Sequence, residues 1–516
     1  MSLNFRRHYP ILIVLVILIF VFTFALGNMR VIAYTTQAEP TPETKYMTDY
    51  TNDIALFDET VVHSIQVIMS EEDYNSMITT YQETGLKEYF KADVIIDGVR
   101  INEVGIRLKG SASLRTALGG NRGFGGNNPA DGEQRLARPE GFDPEGFDPA
   151  DRPQPPEGFN PGEMPQMQEN SQMPEAGQGP GMNEGMRQQL SDGETKIPFM
   201  IKFDEYEDQT YQGYTTVSIR TYGTTYDEAN LQEPVTNEAA RLAGIPATET
   251  AYAGFKINDE EETLYVISEL VNEEYLAKYF ENADGILYKA ELGSTLSYQG
   301  EDPSSYADSF TQQTRVNDAD LAPLIDFMRF IDQADAATFE SELPNYLDVD
   351  SFATYLAINT LLVNTDSMIG MNNNYYLYYD DEAERFTLLM WDANESLGKL
   401  GGNTTYDVSL TNSQQESRGR GGGMGMGGGQ NALIARFMES EIFQALYEEK
   451  LQDVYEKVYV SGAMTDTIEQ YSALIHSVND DRALVDITAY DQAVEKLKTF
   501  IDQRMEYLET LALFEK

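Results

Sequence analysis

The chain has 516 residues, no cysteine, three histidines and a formal net charge of −49, from 36 Lys and Arg against 85 Asp and Glu. This composition excludes a disulfide framework, a thiol nucleophile and a cysteine-based metal centre, and it leaves no basic surface for nucleic acid. The length suits one large or two ordinary domains, and His8, His63 and His476 are too scattered along the sequence to suggest a Ser-His-Asp triad or a His-rich metal site.

Residues 11–26 form an almost unbroken apolar run behind Arg6, Arg7 and His8, so residues 1–34 read as a signal peptide or an uncleaved membrane anchor. The run is short against the roughly 17–25 residues of a full span. Either way the positive flank stays inside and the rest is extracytoplasmic, secreted or membrane-anchored at a bacterial cell surface. Residues 35–60, rich in Thr, Glu and Pro, read as a polar tether.

A β-rich part is expected over 61–290. Residues 63–69 alternate like a strand, Ser70-Glu-Glu-Asp73 is a capping box opening a short helix to about residue 81, and 89–109 reads as a meander turning at Asp97-Gly98. Residues 118–195 break this pattern with Gly, Pro, Met and repeated Pro-Glu-Gly-Phe units, and read as a disordered insert. A strand at 196–203, a helix over 236–242, a hairpin over 251–269, a helix over 272–280 and a strand at 285–288 follow. An α-rich part covers 291–516, with a second Gly-rich insert at 418–429.

The densest chemistry lies in one strand-and-turn unit. An apolar helical run over 352–363 leads into Asn364-Thr-Asp366, Asn372-Asn373-Asn374 opens a strand over 375–379, and its hairpin partner 385–391 ends at Trp391-Asp392-Ala-Asn394. An Asp, then an Asn, then a strand-end Asp is the order in which protein kinases supply a catalytic base and two magnesium ligands. Hard oxygen donors suit Mg²⁺ or Mn²⁺ on phosphates and suit zinc poorly.

These residues resemble the spore-coat protein H (CotH) kinase-like family of atypical protein kinases. The likeness runs through Gly105-Ile-Arg107-Leu-Lys109-Gly110-Ser111-Ala-Ser113, the strand from Lys196 to Asp204, the helix and turn from Asn237 to Pro246 and the strand ending in Glu269. It is strongest at Asn364-Thr-Asp366, Asn373-Asn374-Tyr-Tyr-Leu-Tyr378 and Trp391-Asp392-Ala-Asn394-Glu-Ser-Leu-Gly398, a collinear set within 60–460. The resemblance implies an α+β, two-lobed atypical protein-kinase-like fold, with a β-rich N-lobe and an α-rich C-lobe. It also implies transfer of the ATP γ-phosphate to Ser or Thr of a surface, envelope or spore-coat protein, with Mg²⁺ or Mn²⁺.

Carried over by position, Asp366 would orient the acceptor hydroxyl as base. Asn374, with Asn373 as second choice, would hold a metal that Asp392 bridges to the phosphates. Lys202 would bind phosphate with Glu238 as its helix partner, and Lys109 and Lys196 are rivals for that role. Gly110 and Ser111 would cover phosphates, and Glu269 would sit near the nucleotide. The chain departs from the family where Asn394 replaces a common second Asp, and it has neither an ordinary glycine-rich loop nor a His-Arg-Asp triplet. Two alternatives stand beside this reading: a non-catalytic surface or coat assembly or adhesion protein, and a carbohydrate-active hydrolase pairing Asp366 with Asp392. The second gives the Asn cluster no role.

Overall fold

The computed structural model describes residues 47–110, 114, 118, 196–221, 229–398, 406–410 and 431–515. The chain divides into two units, Met1–Met47 and Thr48–Lys516, and the described residues from Thr48 onward all belong to the second. The expected signal or anchor over 1–34 and the inserts at 118–195 (save Leu118) and 418–429 lie outside the described residues. Among the described residues no helix is long and apolar enough to cross a membrane.

Period-2 alternation builds the first part. Its elements are β1 (Thr48–Tyr50), β2 (His63–Ile68), α1 (Glu71–Thr84), β3 (Phe90–Ile96), β4 (Val99–Leu108), β5 (Phe199–Lys202), β6 (Gln209–Tyr211), β7 (Thr216–Arg220), α2 (Gln232–Ala243), β8 (Thr250–Ile257) and β9 (Thr263–Ser268). The Ser70 hydroxyl caps α1 by accepting from the Asp73 N–H at 3.0 Å, and the helix stops at Gly85 with φ +78°. Asp97 and Gly98 both take positive φ, which fits a tight hairpin turn between β3 and β4.

The expected meander is the start of a closed barrel. Its order is β2-β3-β4-β5-β7-β9-β8, sealed by β2 running parallel to β8. Ile65, Val94, Ile106, Ile201, Val217 and Ile267 fill its interior. The tether assigned to 35–60 is corrected in its second half: β1 pairs with β6, and Leu56 packs in the barrel core. Polar strand residues concealed this, because the Asp49 carboxylate serves the Thr210 hydroxyl and the Gly213 N–H, each at 2.9 Å.

The second part comprises α3 (Glu273–Tyr279), β10 (Ile286–Ala290), β11 (Phe310–Gln312), α4 (Ala322–Gln333), α5 (Ala336–Tyr346), α6 (Val349–Leu361), β12 (Tyr375–Asp380), β13 (Arg385–Met390), α7 (Ala432–Glu439), α8 (Glu441–Tyr455), α9 (Ala463–Arg482) and α10 (Ile487–Glu509). Strands β11-β10-β12-β13 form an antiparallel sheet. A boundary at residue 290 therefore separates β10 from both of its partners, β11 and β12. One sheet face (Tyr288, Tyr375, Leu377, Leu388) joins the helical core. The other (Leu287, Tyr376, Leu389, Trp391) packs with Tyr275 and Leu276 of α3.

Helix α2 is buried along most of its length, packed against β8, α6, α9 and the 3₁₀ turn Ala393–Glu395. Its Thr236 hydroxyl pairs with the Ser396 hydroxyl at 2.5 Å, so the helix is tied to the segment that follows β13. The architecture is thus mixed α and β, strands first and helices later.

Candidate active site

The loop after α6 is shaped by its own backbone and amides. Helix α6 ends at Leu361, and Val363 then takes φ +51°, an uncommon conformation for a β-branched residue. The Asn364 amide donates to Asn359 Oδ1 at 2.8 Å, and the Ser367 hydroxyl donates to the Asn364 carbonyl at 2.7 Å. Met371 N–H closes the loop onto the Thr365 carbonyl at 3.1 Å. A Cβ on Gly370 would overlap that same carbonyl. Gly370→Ala is therefore expected to lower stability by about 1–3 kcal/mol, measured as a shift in the urea midpoint; an unshifted midpoint would refute this close approach.

This loop delivers Asp366 to the end of the β12–β13 hairpin. Its carboxylate accepts from the Asn373 amide at 3.1 Å and from the Asn374 amide at 2.9 Å. The Asn374 amide also reaches the Asp392 carbonyl at 3.4 Å. Asn372, Asn374 and Asp392 all adopt positive φ, which Asn and Asp tolerate better than other side chains. Burial pushes the Asp366 carboxyl up to about 7; the Asn373 amide opposes this, while the Asp392 and Glu395 charges add to it.

A cationic cluster from the barrel faces Asp392. The Arg220 guanidinium, at the end of β7, reaches Glu233 Oε1 through Nη1 at 2.7 Å and Asp392 Oδ1 through Nη2. Glu233 sits in the first turn of α2 and is 0 % exposed. The Lys109 ammonium donates to the Ser218 hydroxyl at 2.6 Å and stands 4.8 Å above the Trp391 ring, beside Arg220 at 5.5 Å from the same ring. Burial, with Arg220 nearby, pulls the Lys109 pKa well below the usual lysine range, and Asp392 and Glu233 oppose that.

The structure therefore brings together Asp366, Asn373, Asn374 and Asp392, and adds Lys109. It separates the others. Lys202 pairs with Glu205 at 3.1 Å and not with Glu238. Lys109 N–H bonds to the Pro198 carbonyl, so Lys202 lies four positions further along β5, roughly 13 Å at 3.3 Å per residue. Glu238 pairs with Arg241 at 2.8 Å, and Arg241 with Glu59 at 3.0 Å. It lies five positions after Glu233, about 140° around the helix. Glu269 is buried at the end of β9, where its carboxylate pairs with Lys278 at 2.7 Å and accepts from the Glu249 N–H at 3.1 Å. That is an ion cluster different from the one at Asp392. Gly110 has φ +92°, consistent with a turn after β4, while Ser111 and Ser113 lie outside the described residues. Lys196 lies just before β5.

Sequence reasoning missed Arg220, Glu233 and the platform role of Trp391. A signal was present: Thr216-Val-Ser-Ile-Arg220 alternates and ends in Arg, and Glu233 opens the next helix. Nothing local says that these two ends meet.

The donor set fits a hard divalent ion. Asp392 offers a carboxylate, and with the Asn373 and Asn374 N–H groups turned toward Asp366, their amide oxygens would be the further oxygen donors. Among the described residues no group of three or more His, Asp or Glu is arranged to hold a metal.

The sequence model of the family described as CotH kinase protein matches residues 186–508, which leaves Lys109 outside the match. The chain is 23% identical over 322 residues to the inner spore coat protein H of Bacillus subtilis (strain 168), spanning 61% of this chain and 82% of that protein. Among solved structures it is similar to the proinflammatory kinase CtkA of Helicobacter pylori, with a TM-score of 0.25 and 13% identity over 55% of this chain and 91% of that one.

Proposed function

The chain belongs to the CotH kinase protein family, and from that premise we propose that it is an extracytoplasmic protein kinase transferring the ATP γ-phosphate to Ser or Thr of a surface, envelope or coat protein. In this reading the strands-first, helices-later order corresponds to the two lobes of an atypical kinase-like fold, with the site at their junction. The reading is carried by one observation: the Asn374 amide touches both the Asp366 carboxylate and the Asp392 backbone, so three chain positions converge on one spot.

Phosphoryl transfer needs positioning and charge neutralisation more than covalent chemistry. A bound Mg²⁺ or Mn²⁺ would neutralise the β- and γ-phosphates. Asp392, Asn374 and Asn373 would hold it through oxygen. Asp366 orients the acceptor hydroxyl and takes its proton as the new O–P bond forms and the bond to ADP breaks. Arg220, braced by Glu233, and Lys109 take the phosphate-binding part first assigned to Lys202. The 1–34 segment would place the protein at or beyond the membrane.

The test is transfer from γ-labelled ATP by the purified full chain, with Mg²⁺ or Mn²⁺, to itself and to casein as a generic acceptor. Asp392→Asn is expected to reduce incorporation by roughly a thousandfold or more with the fold intact, on the scale of losing electrostatic stabilisation of transfer. Equal incorporation by wild type and variant would end the proposal. The Arg220–Asp392 contact favours a second reading, in which a guanidinium permanently fills the cation position and the fold serves coat or surface assembly without catalysis. Wild type that neither binds metal–ATP nor transfers phosphate supports that alternative.

A further inference from the structure

Asp392 already has a cation in this structure, and the cation is part of the chain. Arg220 reaches Glu233 with one terminal nitrogen and Asp392 with the other, while its face lies over Trp391. A guanidinium is a planar fork of five N–H donors that stays charged, so it can bridge two carboxylates that a lysine would have to choose between.

We propose that Arg220 is the resident counter-ion of Asp392 in the nucleotide-free protein, and that Asp392 passes from Arg220 to the divalent ion when metal–nucleotide enters. Glu233 retains the guanidinium, which turns its freed nitrogen to the phosphates. This deepens the kinase reading and rests on it.

Three observations support the exchange. First, the two carboxylates are anchored to each other: Glu233 lies on α2, and α2 is tied through Thr236 and Ser396 to the segment immediately after Asp392. Only the end of one side chain has to move. Second, Glu233 is buried and Asp392 is 31 % exposed at its side chain, so the inner contact is the permanent one and the outer contact is the one open to replacement. Third, both carboxylates face a cation in both states. Without ligand, Arg220 is shared between Glu233 and Asp392. With ligand, the ion offsets Asp392 and the anionic phosphates give Arg220 a second partner.

The arrangement also predicts an order of affinities. A divalent ion arriving alone must displace the guanidinium and then sit beside a cation with no new anion. An ion arriving with its nucleotide brings that anion. Metal binding is therefore weak alone and strongly coupled to nucleotide.

The test is a Mn²⁺ titration followed by electron paramagnetic resonance, with and without ATP, on the full chain. Arg220→Gln is expected to bind Mn²⁺ alone at least tenfold more tightly than wild type and Mn–ATP at least tenfold more weakly, so the coupling collapses. Adding Asp392→Asn should erase the gain in Mn²⁺ affinity. Because Arg220→Gln leaves the buried Glu233 without the guanidinium, the double variant Arg220→Gln/Glu233→Gln is run alongside; it removes the pair together and should show the same gain. Unchanged or weaker nucleotide-free Mn²⁺ binding in these variants, with normal Mn–ATP binding by wild type, overturns the exchange and leaves the kinase reading standing. Wild type that binds no Mn–ATP overturns both.

Discussion

Asp366→Asn is expected to make the metal-free protein more stable at pH 8 while reducing phosphoryl transfer by about a hundredfold to ten-thousandfold, the usual range for losing a positioned base. Burial beside Asp392 and Glu395 holds this carboxyl up to about 7, whereas an unfolded chain ionises Asp near 3.9. The folded state thus binds the proton more tightly than the unfolded state. Stability is fully present below the unfolded value and is lost as pH rises from about 4 through about 7. Each unit is worth about 1.4 kcal/mol. With relaxation and solvent access at a half-open site, the variant should gain about 2–3 kcal/mol at pH 8 and clearly less at pH 5. Urea unfolding in EDTA at both pH values reads this directly. A variant that is no more stable at pH 8 than at pH 5, relative to wild type, would show that Asp366 carries no such penalty. Stability given up at a reactive group is the common trade at functional sites.

The second large effect lies far from the motif in sequence. Arg504 on α10 is 0 % exposed and has no carboxylate partner among the described residues. Its guanidinium donates to the carbonyls of Leu361 at 3.1 Å, Thr360 at 3.0 Å, and Tyr406 and Val408 at 2.7 Å each. Thr360 and Leu361 close α6, where carbonyls lack helical partners and the helix dipole is negative, so a buried cation is accommodated there. The same contacts tie the end of α6, just ahead of the Asp366 loop, to the 406–410 segment. Burial lowers the Arg504 pKa, and the surrounding Tyr459, Tyr507 and Tyr447 oppose that. Arg504→Met keeps most of the volume and strips every donor. A loss of about 2–4 kcal/mol is expected, because four hydrogen bonds from a buried guanidinium go, although Leu361 keeps the Tyr459 hydroxyl and Thr360 the Val363 N–H as donors, together with a fall in kcat larger than any change in KM for ATP. A denaturation midpoint within about 1 kcal/mol of wild type would refute the clamp.

Much of the site was legible because its parts are close in sequence. Asp366, Asn373, Asn374 and Asp392 belong to one helix–loop–hairpin unit, and β12 pairs with β13 across a four-residue turn (381–384). The register that sets Tyr375 opposite Met390 also brings Asn374 and Asp392 to the same end. The α1 capping box and the Asp97-Gly98 turn were readable for the same reason: each is decided by neighbours a few residues away. The cationic half was not. Lys109, Lys196 and Lys202 are alike as residues on or beside strands, and which of them meets Asp392 depends on how β4 and β5 slide past each other.

Local chemistry in the chain was therefore enough to specify two acids and an amide on a hairpin end, an acidic surface and the absence of thiol chemistry. Tertiary packing alone chose their cation. Barrel closure through β2 and β8, the burial of α2 against the turn after Asp392, and the reach of Arg504 from the last long helix to the end of α6 all join residues more than a hundred positions apart. Such pairings carry no periodic signature, because the energy that selects them arises only when surfaces already formed are pressed together and water is excluded between them.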